Sequence, residues 1–215
     1  GAITADDLPH VMSAKHRLMD QGGALSFELD TARFTDVGGL SALKRWVAQR
    51  QDAFFQVEDG EVDPPKGILL VGVQGGGKSL AAKAVAGAWS LPLLRLDFGA
   101  LYNKFFGQTE QNLREALQTA SLMAPCVLWI DEIEKSIAEG TTDQGTSRRL
   151  LGHLLTWMAE RHAKVFIVAT ANDIERLPPE LIRKGRIDEI FFVDLPPLEV
   201  RREIFEIHLG KRALR

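Results

Sequence analysis

The sequence contains almost no cysteine and no long apolar run. Its single cysteine, Cys126, excludes a disulfide within the chain and favours a reducing compartment such as the cytoplasm. The longest apolar stretches, GILLVGV and CVLWI, fall far short of the roughly 20 residues that a membrane-spanning helix needs. The opening residues GAITADDLPH also lack the basic and apolar parts of a signal peptide. We therefore expect a cytoplasmic protein without a membrane span.

An excess of charge of either sign is missing as well. Lys and Arg number 26 and Asp and Glu number 29, so the net charge of -3 gives no chain-wide attraction to nucleic acid or to an anionic membrane. The five histidines form no His-x-x-x-His pair and have no cysteine partner, which argues against a metal site built from them. What the chain does have is 215 residues with 45% apolar content, enough for the core of one large domain or two small ones.

The order of apolar patterns predicts an α/β fold. Residues 1–33 differ from the rest and are interpreted as an N-terminal extension, whereas from Phe34 onward short apolar runs alternate with helical patterns, as in a parallel sheet covered by helices on both faces. Five buried strands are predicted, at Gly67–Val71, Leu93–Asp97, Val127–Ile130, Val165–Ala169 and Glu189–Val193. Helices are predicted at Ser79–Ser90, Thr109–Met123, Thr146–Arg161, Pro179–Lys184 and Leu198–Leu209.

A glycine-rich stretch, GVQGGGKSL, follows the first predicted strand and matches the pattern G-x-x-x-x-G-K-[ST] in full. In a phosphate-binding loop of this kind, backbone N–H groups surround the phosphates, Lys78 reaches the β- and γ-phosphates, and the Ser79 hydroxyl binds Mg²⁺. The alternative is a simple turn between a strand and a helix. The predicted phosphate-binding residues are Gly72, Gln74, Gly75, Gly76, Gly77, Lys78, Ser79 and Leu80.

Two acids end another predicted strand in CVLWIDE. Asp131 is predicted to hold Mg²⁺ through water together with Ser79, and Glu132 to take a proton from an attacking water. The alternative is a pair of solvated acids. An Asn-Lys-x-Asp base reader is absent from the sequence, which argues against GTP, and a kinase would not need the glutamate. The expected chemistry is therefore hydrolysis of ATP with Mg²⁺.

Further stretches resemble the AAA clade of the AAA+ ATPases, from Phe34 to about Leu209: FTDVGGL, YNKFFGQTEQNLREAL and VFIVATANDIERLPPELIRKGRIDEIFF. The resemblance implies a P-loop domain over residues 34–197, with Val37 and Gly38 lining an adenine pocket. It also implies that residues 198–215 begin a C-terminal helical lid, most of which is missing from this sequence.

The same resemblance implies roles for individual residues. Asn172 takes the sensor position that holds the attacking water, and Arg183 and Arg186 take the arginine-finger positions that reach a neighbouring subunit. A surface asparagine and a solvated basic loop are the plainer interpretations. Departures from the family pattern are Ala171, Asp173 and Lys184. The segment that would grip a substrate in the ring pore is Lys104, Phe105, Phe106 and Gly107.

The segments MAPCVLWIDEIEK and GTSRRLLGHLLTWM resemble the Ycf-type AAA proteins of cyanobacteria, plastids and other bacteria, so the plastid stroma is a second possible location. The resemblance implies a homo-oligomeric ring, of six subunits in this clade, that hydrolyses ATP to remodel or thread a protein substrate. A different hypothesis is a nucleotide-gated assembly module, whose ATP state controls the docking of a partner with little turnover.

Overall fold

The computed structural model of the chain describes residues 24–55, 63–102, 109–134, 144–183 and 185–212. The strands are β1 (Leu25–Glu28), β2 (Gly67–Gly72), β3 (Leu93–Leu96), β4 (Cys126–Ile130), β5 (Val165–Ala171) and β6 (Glu189–Val193). The helices are α1 (Ser41–Phe55), α2 (Lys78–Ala88), α3 (Phe98–Tyr102), α4 (Thr109–Leu122), α5 (Gln144–Glu160) and α6 (Leu198–Lys211). The strands form one sheet in the order β1-β3-β4-β5-β2-β6.

The predicted α/β fold is confirmed, with one correction to the sheet. All five predicted strands are present and pair in parallel. A sixth strand, β1, comes from the predicted N-terminal extension and pairs antiparallel with β3, with Leu25 opposite Leu96 and Glu28 opposite Leu93. β1 lies at the sheet edge and is buried only at Leu25, so it lacks the continuous apolar run that identifies the central strands.

One predicted helix is wrong. Over the described residues of Pro179–Lys184 the chain forms turns, with the Leu181 N–H donating to the carbonyl of Pro178 at 3.0 Å. Gly185 follows with φ at +91°, a left-handed conformation that ends any helical turn. The four other predicted helices lie within a few residues of their predicted bounds, whereas α1 and α3 were not predicted. Within the described ranges, no helix combines the length and apolarity that a bilayer crossing requires.

The core lies on both faces of the sheet because successive strand residues point to opposite sides. On one face, Leu69 and Leu128 pack beneath α4 and α5. On the other, Leu70 and Trp129 pack beneath α1 and α2. Strands buried on both faces must be apolar at every position, which explains the continuous runs GILLV and CVLWI. The carboxyl ends of the central strands are left to carry the polar side chains.

The first glycine of the P-loop pattern has a packing role of its own. Gly72 ends β2 and lies opposite Val193 of β6. A Cβ atom at Gly72 would fall 1.9 Å from the Val193 carbonyl oxygen, a distance that no side chain can adopt without moving the backbone. Gly72 therefore lets β6 pair closely beside the strand that leads into the loop.

Candidate active site

The loop between β2 and α2 has the backbone of a phosphate cradle. Gly75 and Gly77 have φ at +80° and +94°, which glycine adopts without the penalty that other residues meet. Gly77 is the N-cap of α2 and provides no side chain to cover the helix start. The first N–H groups of a helix have no intrahelical acceptor, and they carry the positive end of its dipole. The arrangement suits an anion, as the sequence pattern predicts.

The buried side chain of Lys78 stabilises this loop through hydrogen bonds to its backbone. Only 7% of the residue is exposed, and its ammonium group donates to the carbonyl oxygens of Gly72 at 2.7 Å and Val73 at 2.8 Å. A third bond, 2.9 Å long, goes to Oδ1 of Asn172. All three ammonium protons are therefore used, and the charge is fixed at the mouth of the cradle.

Asn172 connects Lys78 to the acid that follows β4. Its Nδ2 donates to Glu132 Oε1 at 2.9 Å, while its Oδ1 accepts from Lys78. The amide orientation follows from chemistry, because an ammonium can only donate and a carboxylate only accept. Lys78, Asn172 and Glu132 thus form one hydrogen-bonded chain, which places three of the predicted catalytic residues together.

Thr170 is a site residue that the sequence pattern did not single out. Its side chain is fully buried in β5, and its hydroxyl donates to Asp131 Oδ1 at 2.7 Å. The Thr170 hydroxyl oxygen also accepts the Glu132 N–H at 2.9 Å. Glu132 itself has φ at +49°, a conformation uncommon outside glycine. Thr170 therefore fixes the turn that presents both acids. The polar side chain inside the apolar run VFIVATA was the feature of the sequence that could have identified Thr170 as a site residue.

Glu134 also stabilises the region of the turn that carries Asp131 and Glu132. The residue is 5% exposed, and its Oε1 accepts the backbone N–H of Asn172 at 2.9 Å. Its other oxygen, Oε2, is buried and has no hydrogen-bond partner within the described part of the chain. The hydrogen bond from the Asn172 N–H to Glu134 Oε1 fixes the backbone of Asn172. It thereby helps to position the Asn172 side-chain amide beside Glu132.

A cavity of about 470 Å³ adjoins the loop and has the size of a small-ligand pocket. Gly75 to Gly77 and the predicted Val37, Gly38 and Leu80 line it, together with β6 and α6. A Cβ atom at Gly38 would lie 2.6 Å from the Ile204 side chain, so this glycine lets α6 come close. The predicted adenine-pocket residues therefore do lie beside the phosphate loop.

Ionic contacts hold α6 against this pocket. Lys211 Nζ lies 2.8 Å from Asp36 Oδ1, and Glu203 Oε2 accepts the backbone N–H of Gly39 at 2.9 Å. The hydrogen bond from Lys211, with a second from the Arg33 N–H, lowers the pKa of Asp36 below its usual value. Asp36 is therefore charged at neutral pH, and the contact is lost as the pH falls through its lowered pKa.

The residues present fit a magnesium ion held mostly by phosphates and water. Ser79 is exposed in the first turn of α2, and the Asp131 side chain is 24% exposed. Both offer the oxygen ligands that Mg²⁺ prefers, and one or two such groups suffice beside a nucleotide. Among the described residues, no cluster of three or more His, Cys, Asp or Glu side chains forms a metal cage. Ser79 and Asp131 therefore stay the predicted magnesium ligands.

The two predicted finger residues differ from each other. Arg183 is exposed. Arg186 is half-buried, and its guanidinium donates to the carbonyls of Leu155, at 3.1 Å, and Glu180. Two backbone acceptors of its own chain therefore hold the Arg186 side chain, whereas Arg183 is exposed. The predicted pore segment, Lys104 to Gly107, lies outside the described residues.

Comparison with known proteins gives the family. Residues 68–195 match the family described as ATPase family associated with various cellular activities (AAA). The chain is 47% identical over 207 residues to an uncharacterized AAA domain-containing protein, ycf46, of Gracilaria tenuistipitata var. liui, covering 95% of this chain and 42% of that protein. This similarity confirms the resemblance to the Ycf-type proteins.

More distant relatives are also similar. The chain is 38% identical over 191 residues to the proteasome-activating nucleotidase of Aeropyrum pernix, covering 83% of this chain and 46% of that protein. It is 31% identical over 198 residues to the cell division cycle protein 48 homolog of Archaeoglobus fulgidus, covering 87% of this chain and 27% of that protein. The chain thus spans less than half the length of each relative. The family match and the phosphate cradle agree, and the chain belongs to the AAA family of ATPases.

Proposed function

We propose that the chain binds ATP with Mg²⁺ at the carboxyl edge of the sheet and hydrolyses it. The observation that carries the proposal is the hydrogen-bonded chain from Lys78 through Asn172 to Glu132. It joins the ammonium of the phosphate loop to a carboxylate that can act on water. A plain strand-to-helix turn would need neither the buried lysine nor the adjacent acid.

Each residue then has a definite task in hydrolysis. The Lys78 ammonium neutralises charge on the phosphates, and Glu132 accepts a proton from the attacking water. Asn172 holds the Glu132 carboxylate through its Nδ2 and can orient that water beside it. Ser79 and Asp131 would hold Mg²⁺, which neutralises charge on the phosphate oxygens.

Replacing Lys78 by Met tests the binding step. We expect calorimetric titration with Mg·ATP to show affinity reduced about 100-fold or more, because the positive charge of the ammonium beside the phosphates is lost. Lys83→Met is the matched control, since Lys83 lies on the same helix but pairs with Glu28 and Asp30 at 3.3 and 3.2 Å. Parental affinity in Lys78→Met would show that this loop is not the phosphate site.

We further propose that the chain works in a homo-oligomeric ring that remodels or threads a protein. Support comes from the family, from exposed Arg183, and from the pore-segment resemblance at Lys104 to Gly107. In such a ring Phe105 would grip an extended polypeptide through apolar contact.

Replacing Phe105 by Ala separates remodelling from nucleotide-gated docking. A remodelling ring should keep its basal ATPase rate and lose most of the stimulation that an unfolded protein such as casein produces, because the grip on the polypeptide is gone. The measurement is ATPase rate with and without casein. Equal stimulation in the parent and Phe105→Ala would favour the gated assembly module instead.

A further inference from the structure

Strand β3 is apolar except for one positively charged residue, Arg95. The strand reads LLRL, and Arg95 lies between Leu94 and Leu96, both fully buried. Arg95 pairs in register with Trp129 of β4, so its side chain leaves the sheet on the same face as those of Trp129 and of Asp131, two residues further on. The Arg95 guanidinium therefore lies near the carboxyl end of β4.

The Arg95 side chain makes two contacts with this region. Its Nη2 atom lies 3.6 Å from Asp131 Oδ2, close enough for an ion pair but too far for a hydrogen bond. Its Cζ atom lies 4.9 Å from the centroid of the Trp129 ring. The Nε atom is buried, with no hydrogen-bond partner in the described ranges. A buried donor without an acceptor lowers stability, so packing alone does not account for an arginine here.

Both carboxylate oxygens of Asp131 are engaged within the chain. Oδ1 accepts the Thr170 hydroxyl, and Oδ2 faces Arg95. A divalent cation that shares this carboxylate is repelled by the guanidinium, because both are positive. The Arg95 and Asp131 side chains are 40% and 24% exposed, so water weakens this repulsion without abolishing it.

We propose that Arg95 is a positioning residue that limits how tightly Asp131 holds a divalent cation. The inference rests on the proposed function, since it concerns the cation that accompanies ATP. Arg95 offsets the charge of Asp131, so the carboxylate alone is a poor cation site. The phosphates of a nucleotide supply the further negative charge, and the cation therefore enters the site together with the nucleotide.

The test measures cation affinity itself, from the electron paramagnetic resonance signal of free Mn²⁺ in the presence of ADP. Arg95→Met keeps an unbranched side chain over Trp129 and removes the charge, so we expect the dissociation constant for Mn²⁺ to fall roughly three- to tenfold. Arg95→Lys keeps the charge and should stay near the parental value. Added salt should shrink the difference between the parent and Arg95→Met, since ions screen the repulsion.

The possible outcomes separate the inference from the proposed function. Equal Mn²⁺ affinity in the parent and Arg95→Met, with ADP bound by both, would overturn the inference alone. Weaker Mn²⁺ binding in Arg95→Met would overturn it too, because Arg95 would then support the cation. A parent that binds neither ADP nor Mn²⁺ would refute the proposed function as well. Should Arg95→Met fail to fold, Arg95→Gln is also neutral and carries the same expectation.

Discussion

Replacing Glu132 by Gln is expected to lower the rate of ATP hydrolysis by about 10³-fold while nucleotide affinity stays at the parental value. The Gln side chain keeps an oxygen that can accept the Asn172 Nδ2 bond, which is 2.9 Å long in the parent. It cannot accept a proton from water at neutral pH. The geometry of the site is therefore retained, and only the base is lost.

Two measurements check this expectation, the turnover rate at saturating Mg·ATP and the dissociation constant for ATP. Glu115→Gln is the matched control, because Glu115 is exposed on α4 and its side chain accepts a 2.8 Å hydrogen bond from Gln111, one turn away. A Glu132→Gln variant that keeps more than about a tenth of the parental rate would exclude Glu132 as the general base.

The second large effect concerns the two arginines, which should respond differently. Arg183→Ala is expected to lower the ATPase rate of the assembled protein by roughly 10³-fold without changing its thermal midpoint, because Arg183 is exposed. Arg186→Ala should lower the thermal midpoint as well, since it leaves the Leu155 and Glu180 carbonyls without their guanidinium donor. Thermal denaturation beside ATPase assays distinguishes the two.

Mixing two inactive variants tests whether Arg183 acts on a neighbouring subunit. In a mixed ring, an Arg183→Ala subunit retains Glu132 and can receive Arg183 from a Glu132→Gln neighbour. Random mixing in equal amounts should then restore about a quarter of the parental rate. A mixture that stays as inactive as either variant alone would contradict a finger supplied in trans.

The central part of the fold could be predicted because its strands are buried on both faces. Such strands must be apolar at every position, as GILLV and CVLWI are, and these runs are too short for a typical helix. Strand β1 is different. It lies at the sheet edge and is four residues long, so its pattern carries little information. The failed helix at Pro179–Lys184 shows the same limit, because a single turn has no measurable period.

Some residues of the candidate site could likewise be predicted from the sequence, and others could not. Lys78 and Asp131 stand in motifs whose spacing is local, so the sequence alone places them. Thr170 and Arg95 act across strands, on Asp131, and their roles depend on which strands are neighbours in the sheet. In the sequence, these two roles are indicated by nothing more than a polar or charged residue inside an apolar run. The contacts of Arg186 within its own chain could not be predicted, because its partners are backbone carbonyls, which no residue pattern records.

The close approach of α6 to Gly38 makes the helix a wall of the nucleotide pocket. A tilt of that helix would consequently change the shape of the pocket in which we propose that the base binds. By thermodynamic reciprocity, a nucleotide that favours one tilt is bound more tightly by the same free energy whenever something else imposes that tilt. A mechanical load on α6 that imposed such a tilt would thus change the affinity of the pocket for nucleotide.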